Sequence, residues 1–274
     1  MKKQIQHSIW ISILLTISML NYCHAANCVF LLGGQSNMVG LGVSSELTPP
    51  YDVPQEDVKF WNDGWVPLSP GFGNKSDNFG PEVSFGRAIK EALPEDTIYL
   101  VKYGSNGKAL YNDFKPYIGR HYLKMMDTFR AALANLDEAG IDYEISGMLW
   151  MQGESDAYES QAVAYEANLI RFIEVMRKEF DAPEMPFIIA RVLNYFGGIE
   201  PPKIGEQSEP TQAYIVRTTQ VRVAENTAFT AWFDTDDYAV VDPISDRGHY
   251  GTQGQLDLGK DFASAVLEFV TEFD

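Results

Sequence analysis

Cysteine and histidine are nearly missing from this sequence, with two of the first and four of the second in 274 residues. Two cysteines exclude a disulfide-stapled fold and a cysteine-rich zinc or iron–sulfur site. Basic residues are the other shortage. Lys and Arg number 21 against 38 Asp and Glu, a formal charge of −17, which gives no electrostatic grip on nucleic acid or anionic lipid. After the N-terminus no stretch stays apolar for about 18 residues, so no stable membrane insertion is expected. What remains is a globular composition, 45% hydrophobic and 22% charged, without collagen or coiled-coil bias.

Residues 1–25 read as a secretory signal peptide: Lys2 and Lys3, a largely apolar run from Ile9 to Leu20, then small residues flanking a cleavage after Ala25. An uncleaved anchor is the competing reading. A lipoprotein site at Cys23 is disfavoured by bulky Tyr22, which stands where a small residue is wanted. Removing a leader that carries two lysines and no acidic residue leaves a chain of about 249 residues and a charge near −19, expected in a periplasm or outside the cell. Cys28 is then the single cysteine and reads as a buried small hydrophobe. His121 and His249 are the imidazoles left, which excludes a three-histidine zinc site.

Residues 26–274 read as one domain. Short apolar runs at Cys28–Leu32, Thr97–Tyr103, Tyr143–Met151, Phe187–Val192 and Phe229–Phe233 predict strands. Between them, Glu82–Ala92, Ile118–Leu136, Ala157–Phe180, Gln212–Ala224 and Gln255–Phe269 predict helices. Buried strands alternating with amphipathic helices predict an α/β fold with a mostly parallel five-stranded sheet covered on both faces. Residues 41–81 are long for a connection and suggest a functional loop or a hairpin turning at Asn62-Asp63-Gly64. In such sheets ligands bind beyond the carboxyl ends of the strands. Four of the five predicted strands end there in polar or glycine-rich turns: Gly34-Gln35-Ser36-Asn37, Gly104-Ser105-Asn106-Gly107, Gln152-Gly153-Glu154-Ser155-Asp156 and Asp234-Thr235-Asp236.

Ser36, directly after a buried strand, is the nucleophile candidate; a helix-capping serine is the plainer reading. Its turn departs from the G-x-S-x-G elbow because Met38 occupies the second glycine position. His249 is the candidate base, with Asp246 three residues upstream to fix its tautomer if the chain turns between them. His121, beside Arg120 and Lys124, reads as a solvated helix residue. Gln152 has the NH2 to donate to an oxyanion, and Glu154 the carboxylate to orient a base or bind a sugar hydroxyl. Glu154 with Asp156 or Asp246 also admits a glycosidase, which leaves Ser36 and His249 without a task. Ser155 or Asp156 is expected to cap the following helix. Neither G-x-x-x-x-G-K-[ST] nor G-x-G-x-x-G is present, and no cofactor or metal is expected.

Together, Gly34-Gln35-Ser36-Asn37-Met38, Trp150-Met151-Gln152-Gly153-Glu154-Ser155-Asp156 and Asp246-x-x-His249 resemble the sialate O-acetylesterase-related carbohydrate esterases of the SGNH-hydrolase superfamily, which include the family 6 acetylxylan esterases. The resemblance spans residues 27 to 270. It implies a three-layer α/β/α sandwich of flavodoxin-like type. It further implies a nucleophile at Ser36, a base at His249, and Asp246 or Glu154 as the supporting carboxylate. The oxyanion hole would be formed by Ser36, Gly107 and Gln152, with Gly104 a weaker alternative to Gly107. Asn106 stands where the family carries a glycine. Asn37, Asn106 and Glu82, the last in Phe79-Gly80-Pro81-Glu82, are expected next to the substrate. The implied activity is a serine esterase that removes O-acetyl groups from acetylxylan or a related acetylated oligo- or polysaccharide through an acetyl-serine. Sialate O-acetylesterase is the alternative, and a non-catalytic carbohydrate-binding protein the alternative of another class. Aromatic residues between Tyr51 and Phe72, and the segment Asn194-Tyr195-Phe196, are candidates for stacking on sugar, with local packing the alternative for each.

Overall fold

The computed structural model describes residues 27–194 and 211–270. The proposed leader and Tyr195-Phe196 lie outside them.

The central strand β1 (Asn27–Gly34) has no solvated face: every residue after Asn27 is buried. Such a strand must pair on both edges and be covered on both sides. It pairs in parallel with β6 (Thr97–Gly104) on one edge and β7 (Glu144–Met151) on the other. The sheet continues from β7 through β8 (Phe187–Ala190) to β9 (Thr230–Phe233), all parallel. These are the five strands expected, in the order β6-β1-β7-β8-β9, which is the flavodoxin-like 2-1-3-4-5 arrangement.

The five-strand count needs a correction. β3 (Gln55–Trp61) adds in parallel to β6, and β4 (Trp65–Leu68) folds back antiparallel on β3, making seven strands. The turn is Asn62-Asp63-Gly64, with Asp63 at φ 53°, and short edge strands with mixed burial carry little apolar periodicity to reveal them. The aromatics of this region are spent on packing: Phe60 stacks on Phe72 at 4.6 Å, and Trp65 meets Trp61 and Tyr99 edge-on. Two small ribbons flank the sheet, β2 (Gly42–Val43) with β5 (Asn78–Phe79), and β10 (Val240–Asp242) with β11 (Asp246–Tyr250).

Side chains alternate across the sheet. Phe30 of β1 meets Phe85 of α2 (Glu82–Ala92), and α2 packs on α6 (Thr252–Val270). Trp150 of β7 points the other way, at 4.4 Å from Phe172 of α4 (Glu159–Glu179). That face also holds α3 (Arg120–Glu138), whose Phe129 meets Phe180, and α5 (Gln212–Asn226), packed on α4. The result is the three-layer sandwich. The predicted cap of α4 is corrected: Tyr158 stands at the N-cap without a side-chain bond, because Asp156 is engaged elsewhere.

Candidate active site

Ser36 opens the one-turn helix α1 (Ser36–Val39) directly beyond β1. The turn is possible because nothing larger than hydrogen fits at Gly34: a Cβ there would lie 2.1 Å from the Met151 carbonyl oxygen. Gln35 N–H donates to that same carbonyl at 3.0 Å, pinning the turn to the end of β7. The turn is also held from behind. Lys102 of β6 donates to the Val39 carbonyl at 3.0 Å and pairs with Glu82 at 2.7 Å, with side chains only 6% and 0% exposed. Burial pushes the Lys102 ammonium below its usual pKa, against the pull of Glu82. Glu82 Oε1 accepts from the Gly80 N–H. The expectation of a substrate contact at Glu82 is therefore corrected: the carboxylate is fully buried and taken up by Lys102 and Gly80.

His249 arrives from the far end of the chain on β11. Asp242 Oδ1 accepts from the Ile244 and Ser245 N–H groups, at 2.7 and 2.9 Å, an Asx turn that closes the ribbon. These bonds hold the Asp242 carboxyl below the usual carboxylate range. Residues three apart on a flat strand face opposite sides, yet His249 Nδ1 lies 2.8 and 3.0 Å from the two oxygens of Asp246. The ladder is irregular between Val240 and Asp242, so this ribbon is not flat. His249 Nε2 lies 3.0 Å from Ser36 Oγ. Serine, imidazole and carboxylate thus form one hydrogen-bonded chain.

Glu154 makes no hydrogen bond to the imidazole, whose two nitrogens are taken by Asp246 and Ser36. It is fully buried, and its Oε1 accepts from Asn37 Nδ2 at 2.8 Å. Burial raises its carboxyl pKa, against the Asn37 bond. Of the two carboxylates expected to compete for His249, Asp246 makes the contact and Glu154 stands one residue behind. Asn37, expected next to substrate, is likewise fully buried and faces protein on both polar atoms of its side chain.

Gln152 also departs from expectation. Its Nε2 lies 2.6 Å from Asp156 Oδ2, 3.1 Å from the Lys108 carbonyl and 3.3 Å from Gln35 Oε1, and the residue is fully buried. Three acceptors within protein leave it no hydrogen for an oxyanion. Asp156 in turn accepts from the Leu110 and Tyr111 N–H groups at 2.6 and 2.9 Å, and burial raises its pKa against those bonds. Gln152 and Asp156 therefore fix the loop that carries Gly107. On its other side Asn106 donates to Asn74 at 2.6 Å, and Asn74 N–H donates to the Gly40 carbonyl at 2.9 Å.

These loops surround a cavity of about 390 Å³ lined by Gln35, Ser36, Leu41, Asn106, Gly107, Ser155 and His249. Gly107, at φ 64°, has open space where a Cβ would point. Sequence reasoning missed Gln35, Leu41 and Ser155 as lining residues. Gln35 Oε1 accepts from the Ser155 N–H at 3.2 Å, which turns its NH2 away from that loop. The signal for Gln35 was its place beside Ser36; capping had claimed Ser155. His121 is not simply solvated: it is half-buried, with Nδ1 2.9 Å from the Tyr103 hydroxyl. Burial and then Lys108 lower its pKa. Among the described residues no cluster of His, Cys, Asp and Glu is arranged to hold a metal, and no helix is long and apolar enough to cross a membrane.

Comparison with known proteins agrees with this geometry. Residues 26–268 match the family model described as carbohydrate esterase, sialic acid-specific acetylesterase. A probable carbohydrate esterase of Arabidopsis thaliana is 26% identical over 262 residues, covering 88% of this chain and 90% of that protein. The crystal structure of an A. thaliana protein superposes with a TM-score of 0.71 at 24% identity, over 88% of this chain and 98% of that one. NanS gives 0.65 at 15% identity, over 90% and 98%. A carbohydrate acetylesterase from Xanthomonas citri gives 0.61 at 18%, over 86% and 55%. A family match over nearly the whole described chain, on a fold that delivers serine, histidine and aspartate to one sheet edge, makes this chain a member of the sialic acid-specific acetylesterase family of carbohydrate esterases.

Proposed function

We propose that this carbohydrate acetylesterase works as a serine esterase that removes O-acetyl groups from a glycan through an acetyl-serine intermediate. The observation that carries the reading is the unbroken chain from Ser36 Oγ through His249 to Asp246, the first two of which line the cavity. Nδ1–H of His249 donates to Asp246, so Nε2 is left to accept the Ser36 proton as Oγ attacks the acetyl carbonyl. Negative charge then develops on the carbonyl oxygen. Among the described residues the Ser36 and Gly107 N–H groups donate to no backbone carbonyl, and both residues line the cavity with the Gln35 carboxamide. These three donors make up the proposed oxyanion hole. Protonated His249 gives its proton to the departing sugar oxygen, which leaves as a hydroxyl. Water, deprotonated by the same imidazole, then releases acetate and restores Ser36.

The family description favours an O-acetylated sialic acid as substrate, and acetylated xylan is the second candidate. Both are secreted or surface glycans, in keeping with export directed by residues 1–25. The test is acetate release on O-acetylated sialic acid and acetylated xylo-oligosaccharide side by side, with native enzyme and Ser36→Ala. Release that disappears with Ser36 is the expected result, and the faster substrate defines the class. Release that survives the substitution would remove Ser36 as nucleophile.

A further inference from the structure

Asn37 is the chain neighbour of Ser36, yet it makes none of its contacts in the cavity. Its Nδ2 donates to the Gly248 carbonyl at 3.0 Å and to Glu154 Oε1 at 2.8 Å, and its Oδ1 accepts from the Tyr250 N–H at 3.1 Å. Gly248 and Tyr250 are the two residues that flank His249. The amide orientation is not arbitrary: only with Oδ1 towards the Tyr250 N–H do both N–H bonds of the NH2 group find acceptors. Glu154, buried and bonded to that NH2, holds the carboxamide in this orientation.

We propose that Asn37 is a positioning residue that clamps the backbone on both sides of His249 and so sets the register between nucleophile and base, with Glu154 as its anchor. The proposal rests on the serine-esterase reading. A side chain fixed to the residue after Ser36 grips the residues before and after His249. The Oγ–Nε2 separation is therefore governed by one short rigid bridge, with a span of chain from 37 to 248 closed by it. The base ribbon is otherwise half-exposed, with the His249 and Asp246 side chains 31% and 33% accessible. Misplacement of a catalytic group by about 1 Å costs on the order of 100-fold in rate, so the clamp acts on turnover and leaves substrate affinity alone.

The test uses an alkyl fluorophosphonate. Activated Ser36 Oγ forms the O–P bond as fluoride leaves, and the serine proton passes to His249. No knowledge of the glycan is needed. Asn37→Asp puts a carboxylate against Glu154 and the Gly248 carbonyl, and labelling is expected to slow about 100-fold. For acetate release kcat should fall to match, with KM within about twofold of native. Asn37→Asp keeps the Tyr250 bond; adding Glu154→Gln restores the bond between 37 and 154, so that two of the three bonds are present, and should recover about tenfold of the loss. Native labelling speed in Asn37→Asp would overturn the clamp. So would a raised KM at unchanged kcat, which marks a substrate contact, or an exchange no better than Asn37→Asp alone. Should the variants not fold, the native enzyme still decides. The Tyr250 amide is expected to resist hydrogen exchange as strongly as those of β1, and rapid exchange there would overturn the proposal. Failure of the native enzyme to label would instead bring down the serine-esterase reading, and the role of Asn37 with it.

Discussion

Ser36, itself 6% exposed, rides on the central strand in a turn braced from behind by the buried Lys102–Glu82 pair. His249 rides on a two-stranded ribbon at the rim, shaped by an exposed Asx turn. One partner of the proposed reaction is part of the core, and the other is an appendage brought to it. The difference predicts two kinds of failure. Changes behind Ser36 should act through stability, and changes in the ribbon through turnover in a chain that melts normally.

The largest effect expected is on chemistry itself. Ser36→Ala should lower kcat for acetate release by about 10³-fold or more, with the residue of activity coming from binding and the oxyanion donors. Single-turnover assays with excess enzyme would read it. A fall of less than about tenfold would place the nucleophile elsewhere.

The two carboxylates come next, since the ribbon supplies one and the core the other. Asp246→Asn should cost on the order of 10²- to 10⁴-fold in kcat, because an amide donor at Nδ1 favours the wrong tautomer. Glu154→Gln keeps an oxygen for Asn37 and should cost less than about tenfold. An inverted ranking would move the third catalytic role to the core. Glu154 has a separate signature in stability. Burial raises its folded-state pKa above the unfolded value, so the folded chain holds the proton more tightly. The stability this contributes is full below the ordinary glutamate range and is lost as pH rises through the folded pKa. Urea unfolding of native and Glu154→Gln enzymes across that range should show a shallower decline with pH in the variant.

How much of this was legible follows the same division. The core half could be read because burial leaves a pattern: β1 as an uninterrupted apolar run, α2 with the bounds Glu82–Ala92 it has in the fold, and Ser36 placed by the strand before it. The β3–β4 edge was visible only as a turn, since half-solvated strands lack a run of apolar residues. Errors at the site share one cause. Asn37, Glu82 and Gln152 stand in the right turns, but a sequence does not say which way a polar side chain points. All three proved to be fully buried braces. Gln35 was overlooked because its neighbour was the nucleophile candidate.

Behind the nucleophile, Lys102→Met leaves Glu82 charged and buried with its cation gone, which should cost about 3–5 kcal/mol of stability. Adding Glu82→Gln removes that charge while keeping an acceptor for the Gly80 N–H, and should recover most of the loss in chemical denaturation. If the single variant melts like native protein, the core half of the comparison fails.

The smallest effect should come from the ribbon. Asp242→Ala removes the acceptor for the Ile244 and Ser245 N–H groups, but both lie in an exposed turn where water takes its place. Global stability should therefore hardly move. What changes is the ribbon's preference for the one bend that points Asp246 at His249. While the ribbon is misfolded the imidazole lacks its carboxylate, so kcat falls by the fraction of time spent there, less than about tenfold, with KM unaltered. A modestly lowered turnover at an unchanged melting point is the signature of an appendage. A lowered melting point with normal kcat would mean that the ribbon belongs to the core, and that the Asn37 bonds alone set the geometry of the base.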